Sequence, residues 1–168
     1  LGAPHEGGPL ERFVWRLIGR TRDGKRCWTD DTQMTMNLAE SWLANRGVNQ
    51  DDLARRFAHS YRWSRGYGPG AAKLLKRIRR GEDWRQANRA IFRTGSFGNG
   101  AAMRAPLLGL LYSDLSDVFA AARQTAEITH AHPNGILGAE LLAGTANLLA
   151  YSDGREKSLL MAARCLSL

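Results

Sequence analysis

Four consecutive residues, Thr29-Asp30-Asp31-Thr32, bring two carboxylates and two hydroxyls into one short stretch. Adjacent carboxylates repel unless a cation lies between them. Hard divalent cations such as Mg²⁺ and Mn²⁺ take oxygen ligands of this kind. Thr29, Asp30 and Asp31 therefore form a candidate metal-binding segment. The same residues also make a helix N-terminus. Thr29 or Asp30 can accept from orphan backbone N–H groups, and acids suit the positive end of the helix dipole. Taken alone, the stretch leaves both readings open. No Cys/His cluster with zinc spacing competes with it.

A second candidate is GSFGNGAAMR, residues 95–104. Its glycines free the backbone for tight turns and close ligand approach. The loop leads into a predicted helix, whose N–H groups and dipole favour an anion. Ser96 and Asn99 add donors for a phosphate, and Phe97 can lie against a flat ring or a sugar. The residue order fits neither a P-loop nor a dinucleotide fingerprint. A third segment, ITHAHPNG (128–135), ends a predicted helix with His130. In isolation His130 is either a C-terminal cap or a group in a site. His132, before Pro133, reads as loop, and His5 and His59 carry no signal. Glu6, in LGAPHEG, gains meaning only if its Gly/Pro context folds it towards Asp30 and Asp31.

These segments need elements to position them, and the elements read as helices. Residues 30–46 carry Met34, Leu38 and Trp42 at four-residue spacing, flanked by Ala39 and Leu43, and stop at Asn45-Arg46-Gly47. A short helix over 50–60 is capped by Asn49 or Asp51 and aligns Leu53, Phe57 and Tyr61. GYGPG (66–70) reads as loop. Basic helices follow over 71–80 and 83–90. An apolar helix is expected within AAMRAPLLGLLY. Residues 114–128 start at Asp114 or Ser116 and space Val118, Ala122 and Ala126. HPNG breaks the chain. Residues 136–150 are apolar nearly all round, which predicts a central, buried helix. Residues 155–167 read as helical to the end. Strand signals are nearly absent, so the expected class is all-α, in a single domain over 1–168.

Composition narrows the partners. The 168 residues suffice for one core. Net charge is +8, which favours an anionic partner. The basic runs 62–68 and 73–89 also read simply as solvated faces. No apolar run reaches the roughly 18–20 residues that span a bilayer. LGAPHEGGPLERF is not a secretory signal. Cys27 and Cys165 suggest no disulfide framework, so a reducing, cytoplasmic setting is expected. The start without methionine and the end inside a helical pattern suggest a piece of a longer protein.

Taken in order, LGAPHEG, WTDDTQM, RGYGPG, GSFGNGAAMR and ITHAHPNGILGAELLA resemble the ADP-ribosylglycohydrolase family over essentially the whole chain. Any one motif is modestly specific, whereas five in sequence are strongly so. GSFGNGAAMR is most similar to the branch that removes ADP-ribose from serine and degrades poly(ADP-ribose). The branch that acts on arginine is the nearer rival. The resemblance implies an all-α fold with two divalent metals, Mg²⁺ or Mn²⁺, at the base of an ADP-ribose cleft. Thr29, Asp30 and Asp31 match its first metal-binding segment. Glu6 matches a glutamate near the metals with a gating or acid/base part. Ser96, Phe97, Gly98 and Asn99 match the loop for the diphosphate and distal ribose. Gly66 and Gly70 match the loop bordering the cleft, His130 a histidine near the phosphates, and Phe92 an aromatic near adenine.

Two departures stand against the family pattern. No D-x-D-T segment follows TDDT, and Asp114, Asp117 and Asp153 lie in other contexts. The opening helix that carries a glycine-aspartate pair is also missing. The implied function is a metal-dependent hydrolase removing ADP-ribose from modified proteins or conjugates. Its catalytic candidates are Glu6, Asp30 and Asp31, with carboxylates facing an oxocarbenium-like transition state. The alternative is a catalytically impaired module that still binds ADP-ribose. A nucleic-acid partner is supported by charge alone and is not expected, nor is a membrane.

Overall fold

The computed structural model describes residues 9–20, 23–25 and 27–151. Glu6, the 155–167 helix and Cys165 lie outside them. Among the described residues the chain is helical and has no β-sheet. The elements are α1 (Pro9–Ile18), α2 (Asp30–Asn45), α3 (Gln50–Ser60), a 3₁₀ turn (Trp63–Arg65), α4 (Pro69–Arg79), α5 (Trp84–Ile91), α6 (Pro106–Leu111), α7 (Leu115–Glu127) and α8 (Pro133–Tyr151). The all-α expectation holds.

Several boundaries follow from local chemistry. Asn49 caps α3, its side chain accepting from Asp52 N at 3.0 Å. Asp83 does the same for α5 and Asp114 for α7. Each such cap satisfies backbone donors that the first turn leaves without partners. Two starts differ from the sequence expectation. The helix after GYGPG begins at Pro69, not residue 71, and α8 begins at Pro133, not 136. Proline is well placed at the first helical position, because its missing N–H has no helical partner there anyway. Helix α1 is missing from the sequence expectation, although Pro9 at its first position and Leu10, Phe13, Val14, Leu17 and Ile18 at helical spacing signal it. Conversely, the stretch before Pro106 is a run of turns, so α6 is only six residues long.

The core gathers Leu38, Leu53, Phe57, Leu74, Leu75, Leu108, Val118 and Ile128, all essentially inaccessible to solvent. The α3 and α7 stripes face it as expected. In α2 the buried face is rotated. Met34, Asn37, Leu38 and Ser41 point inward, whereas Leu43 is 70% exposed. The reason lies in α3. Ser41 Oγ donates to Asp52 Oδ2 at 2.7 Å, and Asn37 Nδ2 donates to Ser60 Oγ. Polar pairs therefore set how these two helices meet.

The long helix α8 packs against α6 and α7. Its contact face is built from small residues: Gly135, Ala139, Ala143 and Gly144. A β-carbon at Gly109 of α6 would lie 2.2 Å from the carbonyl oxygen of Ala143, so the two backbones almost touch. Leu137, Leu142 and Leu149 remain about half exposed. The helix is thus buried on one side, not all round. Its apolar composition could not reveal which side.

Candidate functional site

Asp30 and Asp31 form the first turn of α2 and line a cleft of about 580 Å³. Thr29 precedes them at the N-cap position and is buried. Its hydroxyl makes no capping bond; only its carbonyl accepts, from Gln33 N at 3.1 Å. The capping role expected of its side chain is therefore absent. Burial pushes the Asp31 carboxyl above the usual carboxylate range. Its cleft position disfavours an uncompensated charge.

One wall is fastened to this mouth. Arg65 donates from Nη1 to Trp28 O at 2.9 Å, and its guanidinium stacks 4.4 Å from the centre of the Trp28 ring. The next residue, Gly66, lines the cleft, as do Gly68, Pro69 and Gly70 at the start of α4. Phe92 closes this side. A β-carbon at Gly70 would come within 2.4 Å of its ring, so glycine admits the aromatic wall. Behind the mouth, burial and then the charge of Asp30 push the Tyr67 hydroxyl up to about 12.

The opposite wall is the glycine loop. Ser96, Gly98, Asn99 and Gly100 line the cleft, together with Thr129 and His130. Phe97 does not. Its ring is 72% exposed and stands edge-on to His132, with centroids 5.3 Å apart. His132 is more than loop: its Nδ1 also accepts from Asn134 N at 3.1 Å, at the start of α8.

The 95–100 loop and the 130–135 segment are shaped around each other. Gly95 has φ +84°, and a β-carbon there would overlap the His132 backbone nitrogen at 2.1 Å. A β-carbon at Gly135 would lie 2.7 Å from Ser96 O, and one at Gly100 would lie 2.7 Å from the His130 ring. His130 caps no helix carbonyl through its side chain in this arrangement. Its Nδ1 is 2.7 Å from Thr129 Oγ1, and burial with the nearby Arg104 charge pushes its pKa down to about 3. The ring is neutral across ordinary pH.

Arg104 was not legible as a site component. It is wholly buried, with Phe57 5.0 Å away beneath its guanidinium. Its partners are the Gly100 and Thr125 carbonyls and the Thr129 hydroxyl. Burial pushes its pKa down to about 9. Met34, Leu75 and Met103 complete the cleft with apolar surface. Their spacing alone marks them as core.

The site thus joins two carboxylates at a helix mouth to a glycine loop and a neutral imidazole. Hard oxygen donors at Asp30 and Asp31 fit a divalent cation that keeps part of its water shell. Among the described residues there is no group of three or more His, Cys, Asp or Glu that could hold a metal. Glu6 lies outside the described residues.

Comparison with known proteins finds relatives over most of the chain. The chain is 37% identical to the ADP-ribosylhydrolase ARH3 of Bos taurus over 147 residues, covering 84% of this chain and 40% of that protein. It is 40% identical to the ARH3 of Mus musculus over 130 residues, 74% of this chain and 35% of that protein. An uncharacterised protein of Archaeoglobus fulgidus is 33% identical over 172 residues, 91% of this chain and 53% of its own length. The chain spans about 40% of the length of the ARH3 relative from Bos taurus. The ADP-ribosylglycohydrolase family model matches residues 1–166, and the chain belongs to that family.

Proposed function

We propose that this chain supplies the ADP-ribose cleft and one half of the metal site of an ADP-ribosyl hydrolase acting on modified proteins or ADP-ribose conjugates. One observation carries the reading: the Asp30-Asp31 mouth and the 96–100 loop face a single cleft of about 580 Å³. That size suits a nucleotide-sized ligand, and the lining mixes polar groups with apolar surface.

The loop and its neighbouring turns would hold the diphosphate through N–H donors, with Ser96 and Asn99 adding side-chain donors. Phe92 would offer a flat face near the base. Phe97, exposed beside His132, would close over the ligand from the rim. Asp30 and Asp31 would hold Mg²⁺ or Mn²⁺, two ions in a complete site, with further ligands coming from elsewhere. When bound, such ions polarise oxygens near the reacting carbon. Glu6 keeps its proposed acid/base part, and Thr29 supports the metal segment from its buried position. The ARH3 names of the relatives motivate the branch, and ADP-ribosylated protein is the proposed partner.

The test is direct. Titration calorimetry with ADP-ribose, with and without Mg²⁺, should show binding that Asp30→Ala with Asp31→Ala makes independent of Mg²⁺. In a chain carrying the complete site, the same pair should abolish hydrolysis of ADP-ribosylated peptide while leaving a folded protein. Unchanged turnover at saturating Mg²⁺ sinks the metal assignment. A second reading, an ADP-ribose-binding module without turnover, is favoured by the absence of a third metal-ligating carboxylate among the described residues. Binding without hydrolysis in that longer chain supports it. No helix among the described residues is long and apolar enough to cross a membrane.

A further inference from the structure

Arg104 is a fully buried cation whose hydrogen bonds reach two cleft-lining residues, Gly100 and Thr129, and no carboxylate. Burying a charge is costly unless it is well hydrogen-bonded. Its bonds join the glycine loop to the end of α7. Nη1 donates to Gly100 O at 2.6 Å, within the glycine loop. Nη2 donates to Thr125 O at 2.8 Å and to Thr129 Oγ1 at 2.9 Å, at the end of α7. Thr129 Oγ1 then meets His130 Nδ1 at 2.7 Å.

Donor and acceptor bookkeeping favours one direction for that last bond. A guanidinium can only donate. Thr129 Oγ1 therefore accepts from Arg104 and keeps its own hydrogen to donate, and His130 Nδ1 is the other partner of that oxygen among the described residues. A proton on Nδ1 would instead aim two donors at one hydroxyl and leave that hydroxyl's hydrogen without an acceptor. A neutral imidazole has one N–H and one bare nitrogen. With Nδ1 accepting, the proton resides on Nε2. That atom lies 3.4 Å from where a β-carbon of Gly98 would sit and 3.0 Å from one at Gly100. It faces the loop side of the cleft.

We propose that Arg104 and Thr129 are positioning residues: they hold His130 in its Nε2–H tautomer, so that the cleft presents a neutral N–H donor to an anionic ligand oxygen beside the glycine loop. The same guanidinium ties the Gly100 carbonyl, so donor and loop are set by one buried group. Burial and the Arg104 charge keep His130 unprotonated, which removes the doubly protonated form from competition. The identity of the anion as the ADP-ribose diphosphate rests on the functional reading above. The tautomer does not.

The test uses ¹⁵N-histidine labelling of the whole chain and NMR without ligand. Wild type should show His130 with a bare Nδ1 and a protonated Nε2. Thr129→Val should mix the two tautomers, and Thr129→Ser should restore the wild-type pattern. Arg104→Met should mix them as well; where that variant does not fold, Thr129→Val carries the test. A protonated Nδ1 in wild type, or an unchanged tautomer in Thr129→Val, overturns the proposal. Calorimetry with ADP-ribose then reads the consequence. Thr129→Val should weaken binding in proportion to the Nε2–H form it loses, about twofold for an even mixture, with Thr129→Ser near wild type. Full affinity in Thr129→Val despite mixed tautomers overturns the ligand-facing role. Wild-type protein with the expected tautomer but no affinity for ADP-ribose supports the positioning and overturns the functional reading instead.

Discussion

The Phe92 ring lies against Gly70 so closely that a β-carbon there would sit 2.4 Å from its Cζ. Gly70→Ala must therefore displace the ring, because the ring edge and the first turn of α4 cannot share that space. The expected cost is about 1–3 kcal/mol of stability from overpacking. ADP-ribose affinity should fall with it, since Phe92 forms that side of the cleft. Paired urea melts and calorimetry check this, and a variant with unaltered affinity removes Phe92 from the ligand wall.

Asp31 makes a prediction with opposite signs in two conditions. Burial raises its carboxyl pKa in the folded chain. The protonated form is thus favoured by folding, and that contribution is lost as pH rises through the folded-state value. At neutral pH without metal the carboxylate is a burden on the fold. Asp31→Asn should raise the melting temperature of the metal-free chain. Added Mg²⁺ should then stabilise wild type and leave the variant unmoved. Thermal melts with EDTA and with Mg²⁺ separate these effects, and equal Mg²⁺ responses count against Asp31 as a ligand.

His130 should govern acid sensitivity. Its pKa is about 3 in the fold, against about 6.5 in an unfolded chain. The unfolded state binds the proton first, so stability is fully present above the unfolded value. It declines as pH falls from there towards the folded value, by at most about 1.4 kcal/mol per pH unit from this one group. His130→Gln should flatten the difference between denaturation midpoints at about pH 7 and pH 4.5. A variant with the wild-type acid slope would falsify the assignment.

Asp52 joins α2 to α3. It accepts from Ser41 and Arg56 at 2.7 Å and from Asn45 at 3.0 Å. Burial pushes its carboxyl up, but the bonds from Arg56 and Ser41 prevail and hold it below the usual range. Asp52→Ala leaves Ser41, itself buried, without its partner. The expected loss is about 2 kcal/mol. ADP-ribose affinity should hardly change, because Asp52 does not line the cleft. A drop in affinity larger than the stability loss explains would show that this helix pair steers the mouth.

Much of this arrangement could be read from the residues, and the failures have physical causes. Asn49 and Asp114 announced α3 and α7, since a cap is a local interaction between near neighbours in the chain. The 96–100 loop and Asp30-Asp31 could be named by residue type and order. That they share one cleft with Phe92 and His130 depends on packing between distant helices. Pro69 and Pro133 misled about two starts, because proline breaks a helix interior yet opens one readily. Leu43 was misplaced because polar pairs to α3, not apolar periodicity, turn α2. Arg104 was hidden for a simpler reason: charge in a sequence signals surface, and only the fold reveals a cation with its carbonyl and hydroxyl partners. Phe97 could be named as the aromatic of the loop, but its place on the rim against His132 depends on packing.

The mutual fit of Gly95, Gly98 and Gly100 with His130, His132 and Gly135 has a consequence for how this protein can change over time. At Gly95, Gly100 and Gly135 neither segment has room for a β-carbon while the other stays as it is. Variation in one would be tolerated only after a compensating step in the other, so single changes lead to dead ends. The two segments, some 35 positions apart in the chain, should be inherited as one unit. A designer grafting this anion loop onto another scaffold would have to transplant both together.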